Sequence, residues 1–117
     1  MNLNPYVWGP HFWFTLESIA LGMPDKLEPN EIVIYKNFFE SFKLLLPCFK
    51  CRLHYSLNLE DNPLTDEILK TKKSTVKWLL NLHNIVRKQS KQNIINHDET
   101  LKYYDNLFNN KKKKQWK

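Results

Sequence analysis

The sequence predicts an all-α domain: a four-helix bundle with an additional short fifth helix. Three observations carry this expectation. Apolar residues recur at spacings of three and four along most of the chain. No Val/Ile/Thr-rich alternating run is bounded by turn residues as a strand would be. The composition, 42% hydrophobic and 14% aromatic with only 2 Gly in 117 residues, is that of one globular domain. A chain of this length buries about two-thirds of the surface that its unfolded form exposes.

The first helix is expected from Pro10, a residue suited to the first helical position, with Phe12, Trp13, Leu16, Ile19, Ala20 and Met23 on its apolar face and Pro24 closing it. After the cap-like pair Pro29-Asn30, a wide apolar face of Ile32, Tyr35, Phe38, Phe39, Phe42, Leu45 and Leu46 predicts a second helix running until Pro47. Pro47 cannot continue that helix but can open another, so a short third helix is expected from Pro47 to near Asn58. The segment from Leu64 to Lys73 is left open. From about Ser74 to Gln89, Val76, Leu79, Leu80, Leu82, His83 and Val86 mark a fourth helix. Asn96 followed by Asp98 and Glu99, then Leu101, Tyr104 and Phe108, predicts a shorter fifth.

The formal net charge of +6 is concentrated at one end, because Lys111 to Lys114 and Lys117 carry almost all of the excess. The expected division is therefore a domain over residues 1–110 and a basic, disordered, solubilising tail over 111–117. A near-neutral body with a basic tail does not argue for a nucleic-acid partner. No apolar run approaches ~18 residues, so no membrane span is expected. The start Met1-Asn2-Leu3-Asn4-Pro5 has neither a basic region nor an apolar one of the secretory kind, so a cytoplasmic location is expected.

The two cysteines stand three residues apart in Pro47-Cys48-Phe49-Lys50-Cys51. Thiols at that spacing can close a disulfide, hold a metal or act as nucleophiles. With the helix opened by Pro47, Cys48 lies in a first turn, where unpaired N–H groups and the helix dipole favour a thiolate, and Lys50 and Arg52 add positive charge. Cys51 lies one turn on. A Cys2His2 zinc site of Cys48, Cys51, His54 and His83 is a rival on paper, as is a helical interaction module. Structural zinc sites, however, draw on two short clusters and only one is present. A thioredoxin-like module requires a strand before the pair, which the sequence does not supply. If the pair cycles between dithiol and disulfide, its electrons need a sink, which implies a cofactor. A helical bundle lined by Trp8, Trp13, Trp78 and His83 offers flat surfaces to hold one.

Three blocks, in order, resemble the Erv/Alr family of FAD-linked sulfhydryl oxidases, particularly its minimal viral members. Trp8-Gly9-Pro10-His11-Phe12-Trp13 is similar to the family's Trp-Gly-x-x-x-Trp. Pro47-Cys48-Phe49-Lys50-Cys51-Arg52-Leu53-His54-Tyr55 is similar to its Pro-Cys-x-x-Cys-x-x-His-aromatic core, and Trp78 to Val86 to its Trp-x-x-x-x-His-Asn-x-Val. The resemblance spans about Trp8 to Phe108. It implies a helical bundle holding FAD beside the cysteine pair, usually as a homodimer, that oxidises thiols and reduces O2 to H2O2.

Carried over by that resemblance, Cys48 is the outer cysteine that exchanges with substrate and Cys51 the inner one that attacks the flavin. Trp8, Gly9, Pro10, Trp13, His54, Tyr55, His83, Asn84 and Val86 surround the cofactor, and no metal is implied. The chain departs from the family pattern in three places. Glu17 stands where a His is common, Leu80 where a cysteine of a structural disulfide is often found, and Arg87 where an Asn is common. Glu17 and Arg87 are kept as cofactor contacts, Arg87 together with Lys88 and Lys91 toward the pyrophosphate. Many members also carry a second, mobile cysteine pair, which these 117 residues lack. The resemblance then implies that a small thioredoxin- or glutaredoxin-like dithiol protein reaches Cys48 directly. For compartment it implies a viral setting, in the host cytoplasm or the virion, with the mitochondrial intermembrane space as alternative.

Overall fold

A computed structural model describes residues 1–110; the expected basic tail lies outside the described residues. Six helices follow in order: α1 (Pro5–Leu21), α2 (Pro29–Leu45), α3 (Phe49–Asp61), α4 (Asp66–Leu69), α5 (Lys72–Gln89) and α6 (His97–Phe108). Among the described residues the only sheet-like pairing is one isolated bridge between Lys26 and Thr71. The four long helices and the shorter fifth are those expected; α4, a single turn, fills the segment that the sequence leaves open.

Three helix starts differ from expectation, each for a local reason. The first helix starts five residues earlier, because Asn4 Oδ1 accepts from the Tyr6 N–H at 2.9 Å and Pro5 takes the first helical position. Pro10 therefore lies inside α1, where its missing N–H removes one ladder bond. The third helix starts at Phe49, with Cys48 as its extended N-cap (φ −137°, ψ 145°) and Pro47 outside. The fourth long helix starts at Lys72 rather than about Ser74, since Thr71 is the cap and its Oγ1 accepts from the Ser74 N–H at 3.2 Å.

The core is built by α1 on α5 and α2 on α3, with α4 wedged against both α2 and α5. Leu16 and Ala20 of α1, Phe39 of α2, Leu59 of α3, Leu69 of α4 and Val76, Leu79 and Leu82 of α5 are all buried. Burying a side chain of Leu or Phe size contributes roughly 1.5–3 kcal/mol, so this cluster dominates the stability.

Polar ties then set the place of α3, the helix that begins at the cysteine pair. Tyr55 Oη donates to the Phe39 carbonyl of α2 at 2.6 Å. Asn58 and Gln89 exchange two amide bonds, at 3.1 and 2.8 Å, between α3 and the end of α5. Trp78 Nε1 of α5 donates to the Asn62 carbonyl at 2.9 Å, just beyond α3. At the start of the helix, Arg52 Nη1 donates back to the Leu46 carbonyl at 2.6 Å, holding the turn through Pro47. Each tie satisfies a group that would otherwise be costly to bury or half-bury.

Candidate active site

The redox-competent centre is built by the cap of α3. Cys48 and Cys51 form a disulfide, and the Cys51 N–H donates to Cys48 Sγ at 3.1 Å. Cys48 Sγ thus occupies the position of a capping oxygen, facing the free N–H groups of the first turn. A thiolate released there is stabilised by those groups and by the positive end of the helix dipole. Both cysteines are partly buried; Cys51 packs against the hydrophobic core, whereas Cys48 does not. The two sulfurs therefore differ in position, one inner and one outer.

Both line a cavity of about 980 Å³ enclosed by α1, α3, α5, α6 and the segment leading into α6. That volume is at the upper end of small-ligand sites, roughly 300–1,000 Å³, and suits a ligand of dinucleotide size. Flat rings form much of the wall. Trp13 and His83 stack at 4.2 Å with planes 7° apart. Phe12 meets Trp8, Trp13 and Phe42 edge to face, and Trp8 Nε1 is held by the Leu3 carbonyl at 2.9 Å. Such faces present a slot for a planar ring system.

The buried end of the wall is polar. Glu17, 3% exposed, is bonded through Oε2 to His83 Nδ1 at 2.6 Å and accepts from Tyr104 Oη through Oε1 at 2.6 Å. Burial lowers the His83 pKa from its ordinary value, and nearby Arg87 acts in the same direction, against the opposing pull of Glu17. Burial, reinforced by the bond to Glu17, raises that of Tyr104, and burial also raises that of Tyr55. Both phenols are neutral donors at physiological pH. Arg87 Nη1 donates to Asn84 Oδ1 at 2.8 Å, and its charge faces Glu17.

Of the residues singled out in the sequence, Cys48, Cys51, Trp8, Gly9, Pro10, Trp13, Glu17, His54, Tyr55, His83, Val86 and Arg87 all stand on this cavity wall. Trp78 is buried in the core cluster instead. Asn84 and Lys91 stand off the wall. Asn84 braces the segment after α5, its Nδ2 donating to the Ile95 carbonyl at 2.8 Å and its Oδ1 accepting from the Ile95 N–H at 2.9 Å. Lys91 turns the chain out of α5 with φ 59°, a left-handed conformation uncommon outside glycine. The wall also includes Lys50, which the sequence marks only for its charge beside the cysteines, and Asn58, Gln89 and Tyr104, which it does not mark as site residues. Tyr104 reads as an apolar-face position, and only its meeting with a carboxylate 87 residues away gives it a polar role.

The zinc alternative is not assembled. Among the described residues no three His, Cys, Asp or Glu side chains gather as a metal site, and Cys48 and Cys51 are bonded to each other. Nor is any described helix long and apolar enough to cross a membrane.

Comparison with known proteins follows the same lines. The chain is 32% identical over 97% of its length to a probable FAD-linked sulfhydryl oxidase of Acanthamoeba polyphaga mimivirus, covering 80% of that protein. It is 35% identical over 84% of its length to an FAD-linked sulfhydryl oxidase of African swine fever virus, again covering 80%. In fold it matches the yeast Erv1 core with a TM-score of 0.77 at 16% identity, over all of this chain and 90% of that one. It also matches the FAD-binding domain of Erv1 from Saccharomyces cerevisiae with a TM-score of 0.74 at 19% identity, over 84% and 89% of the two chains. The model of the Erv1 / Alr family matches residues 10–117, and the chain belongs to that family.

Proposed function

We propose that this chain is an FAD-linked sulfhydryl oxidase that makes disulfides in a partner dithiol protein by exchange at Cys48–Cys51. The observation that carries the reading is the placement of the disulfide in the wall of a large, aromatic-lined cavity. The residues fit FAD: the Trp13–His83 stack and the neighbouring Trp8 and Phe12 offer planar surfaces, and Arg87 and Lys50 offer cations for a diphosphate.

The exchange follows from the different positions of the two sulfurs. A substrate thiolate attacks Cys48 Sγ, forming a mixed disulfide and releasing Cys51 as a thiolate. The second substrate thiolate attacks the substrate's own sulfur and expels Cys48, so the substrate leaves oxidised and the pair remains as a dithiol. A low-pKa thiol is the better leaving group, and the N-cap position of Cys48 stabilises the thiolate expelled in that step. Reclosing the pair gives up two electrons and two protons, for which FAD supplies the acceptor and O2 the terminal oxidant, yielding H2O2.

The partner in this reading is a small thioredoxin- or glutaredoxin-like protein that meets Cys48 directly, in the host cytoplasm or virion of a viral setting. Exposed Phe49 and Leu53, on the first turns of the cysteine helix, offer it apolar contact. A homodimer belongs to the same reading, supported by exposed Val33 and Leu44, three turns apart on one face of α2. Purified protein is expected to carry a flavin absorption band and to release one H2O2 per disulfide formed in a dithiol substrate. Colourless protein that takes up no FAD on reconstitution contradicts the reading.

A further inference from the structure

Glu17 lies on the cavity wall, and each of its oxygens already has a partner within the protein. Oε1 accepts from Tyr104 Oη of α6 and Oε2 meets His83 Nδ1 of α5, each at 2.6 Å. One side chain of α1 therefore ties helices whose partner residues are 66 and 87 positions away. Four residues further back on α1, Trp13 stacks on the same imidazole, so the His83 ring is held in its plane by one neighbour and in its rotation by the other.

The chemistry of these groups assigns the proton. An ionised carboxylate only accepts hydrogen bonds, so the nitrogen facing Glu17 carries N–H. The second nitrogen, Nε2, has no hydrogen-bond partner among the described residues. It is also not sealed from solvent: among the described residues Ser18 Oγ alone is a fully buried side-chain atom without a partner. His83 lines the cavity, and burial together with Arg87 favours its neutral form, whose Nε2 is a lone-pair acceptor. The other titratable groups on the cavity wall are Tyr6, Lys50, His54 and Tyr55, with Glu99 and Tyr103 of α6.

We propose that Glu17 is a positioning residue for the cofactor site: by accepting from Tyr104 and His83 together, it fixes His83 as the Nδ1–H tautomer with Nε2 presented as an acceptor to a donor group of FAD. The inference rests on the reading that this cavity holds FAD. It makes the departure from the family pattern at position 17 a change in how the imidazole is held, with no direct contact between the carboxylate and the cofactor required.

The test combines ring 15N NMR of His83, assigned by its loss in His83→Gln, with FAD titration of the full chain and of Glu17→Gln and Tyr104→Phe. In the wild type, Nδ1 is expected to be protonated and Nε2 not, with the Nε2 signal moving when FAD is added. Glu17→Gln is expected to lose the tautomer preference and to weaken FAD binding about 10- to 100-fold, the range for leaving a buried donor without its acceptor, with helical content retained. Tyr104→Phe leaves the Glu17–His83 bond in place and is expected to keep the tautomer. A wild-type His83 protonated on Nε2, or a folded Glu17→Gln chain that binds FAD as tightly as wild type, overturns the inference. Because the wild-type tautomer is read directly, the result stands even if a variant does not fold. A wild type that shows the tautomer but takes up no FAD contradicts the functional reading instead.

Discussion

Cys51→Ser is expected to lower oxygen-dependent oxidation of a dithiol substrate by roughly 10³-fold or more, as removal of a member of a catalytic unit does. Cys48→Ser is expected to do the same, but the two variants differ in what they retain. Cys51→Ser keeps the outer thiol in the N-cap of α3; given a single-cysteine substrate activated as its thionitrobenzoate disulfide, Cys48 displaces thionitrobenzoate and the mixed disulfide persists, because neither Cys51 nor a second substrate thiol is there to release it. Cys48→Ser keeps only the core-packed sulfur and is expected to capture far less. Neither change should unfold the chain. The Cys48–Cys51 disulfide closes a loop of sequence separation three, and such short loops constrain the unfolded chain least. Serine is itself a favoured N-cap residue at position 48. Mass spectrometry of non-reduced protein after exposure to substrate, beside a rate assay, checks both parts.

The largest effect on stability is expected from Phe39→Ala, at about 3–5 kcal/mol for an aromatic ring removed from a closed core. Phe39 is 0% exposed, and its ring meets Phe38 at 5.2 Å and Trp78 at 6.0 Å. Its own backbone carbonyl accepts from Tyr55 Oη, so the cavity left behind sits where α2, α3 and α5 converge. A domain of this size has about 5–15 kcal/mol in total, so the variant should unfold at clearly lower denaturant than wild type. Tyr55→Phe, which removes one hydroxyl and leaves the carbonyl without that donor, should cost about 1–3 kcal/mol by the same urea measurement. If Phe39→Ala were to cost less than Tyr55→Phe, the packing described for the α2–α3 junction would be wrong.

Much of this architecture is legible in the sequence because it rests on periodicity and on caps that act within four residues. The apolar rows of α2 and α5 and the Asn96 cap of α6 are of this kind, the last with Asn96 Oδ1 accepting from the Asp98 N–H at 2.8 Å. Pro10 misleads because the same rule fits two prolines: Pro5, preceded by the capping Asn4, takes the first helical position, and α1 accommodates the second inside. Tyr6, whose carbonyl loses its helical donor to Pro10, is 65% exposed. Cys48 is displaced by two positions, from the first turn to the cap, for a different reason. A sulfur is seldom expected to cap a helix, yet here it receives the N–H that a serine oxygen would.

The site divides in the same way. Trp8, Trp13, the cysteine pair and His83 belong to recognisable local blocks, and the fold brings them to one wall. What stays hidden is pairing over long separations. Glu17 reads only as a departure from a pattern until Tyr104 and His83 are seen at its two oxygens. Asn58 and Gln89 are unremarkable polar positions until they are seen to exchange amide bonds across two helices. Asn84, conversely, belongs to a recognisable block but is engaged with the backbone of Ile95.

The most direct test of the central claim, that Cys48–Cys51 passes electrons from a dithiol to FAD in this cavity, is an anaerobic titration of the flavin-loaded chain with a small dithiol. The wild type is expected to take up two equivalents per chain, one for the disulfide and one for the flavin, with bleaching of the flavin band. Cys48→Ser and Cys51→Ser should keep the band through the same additions. Flavin that bleaches as fast and as fully in both variants as in wild type would contradict the account, because electrons would then be reaching FAD without the cysteine pair.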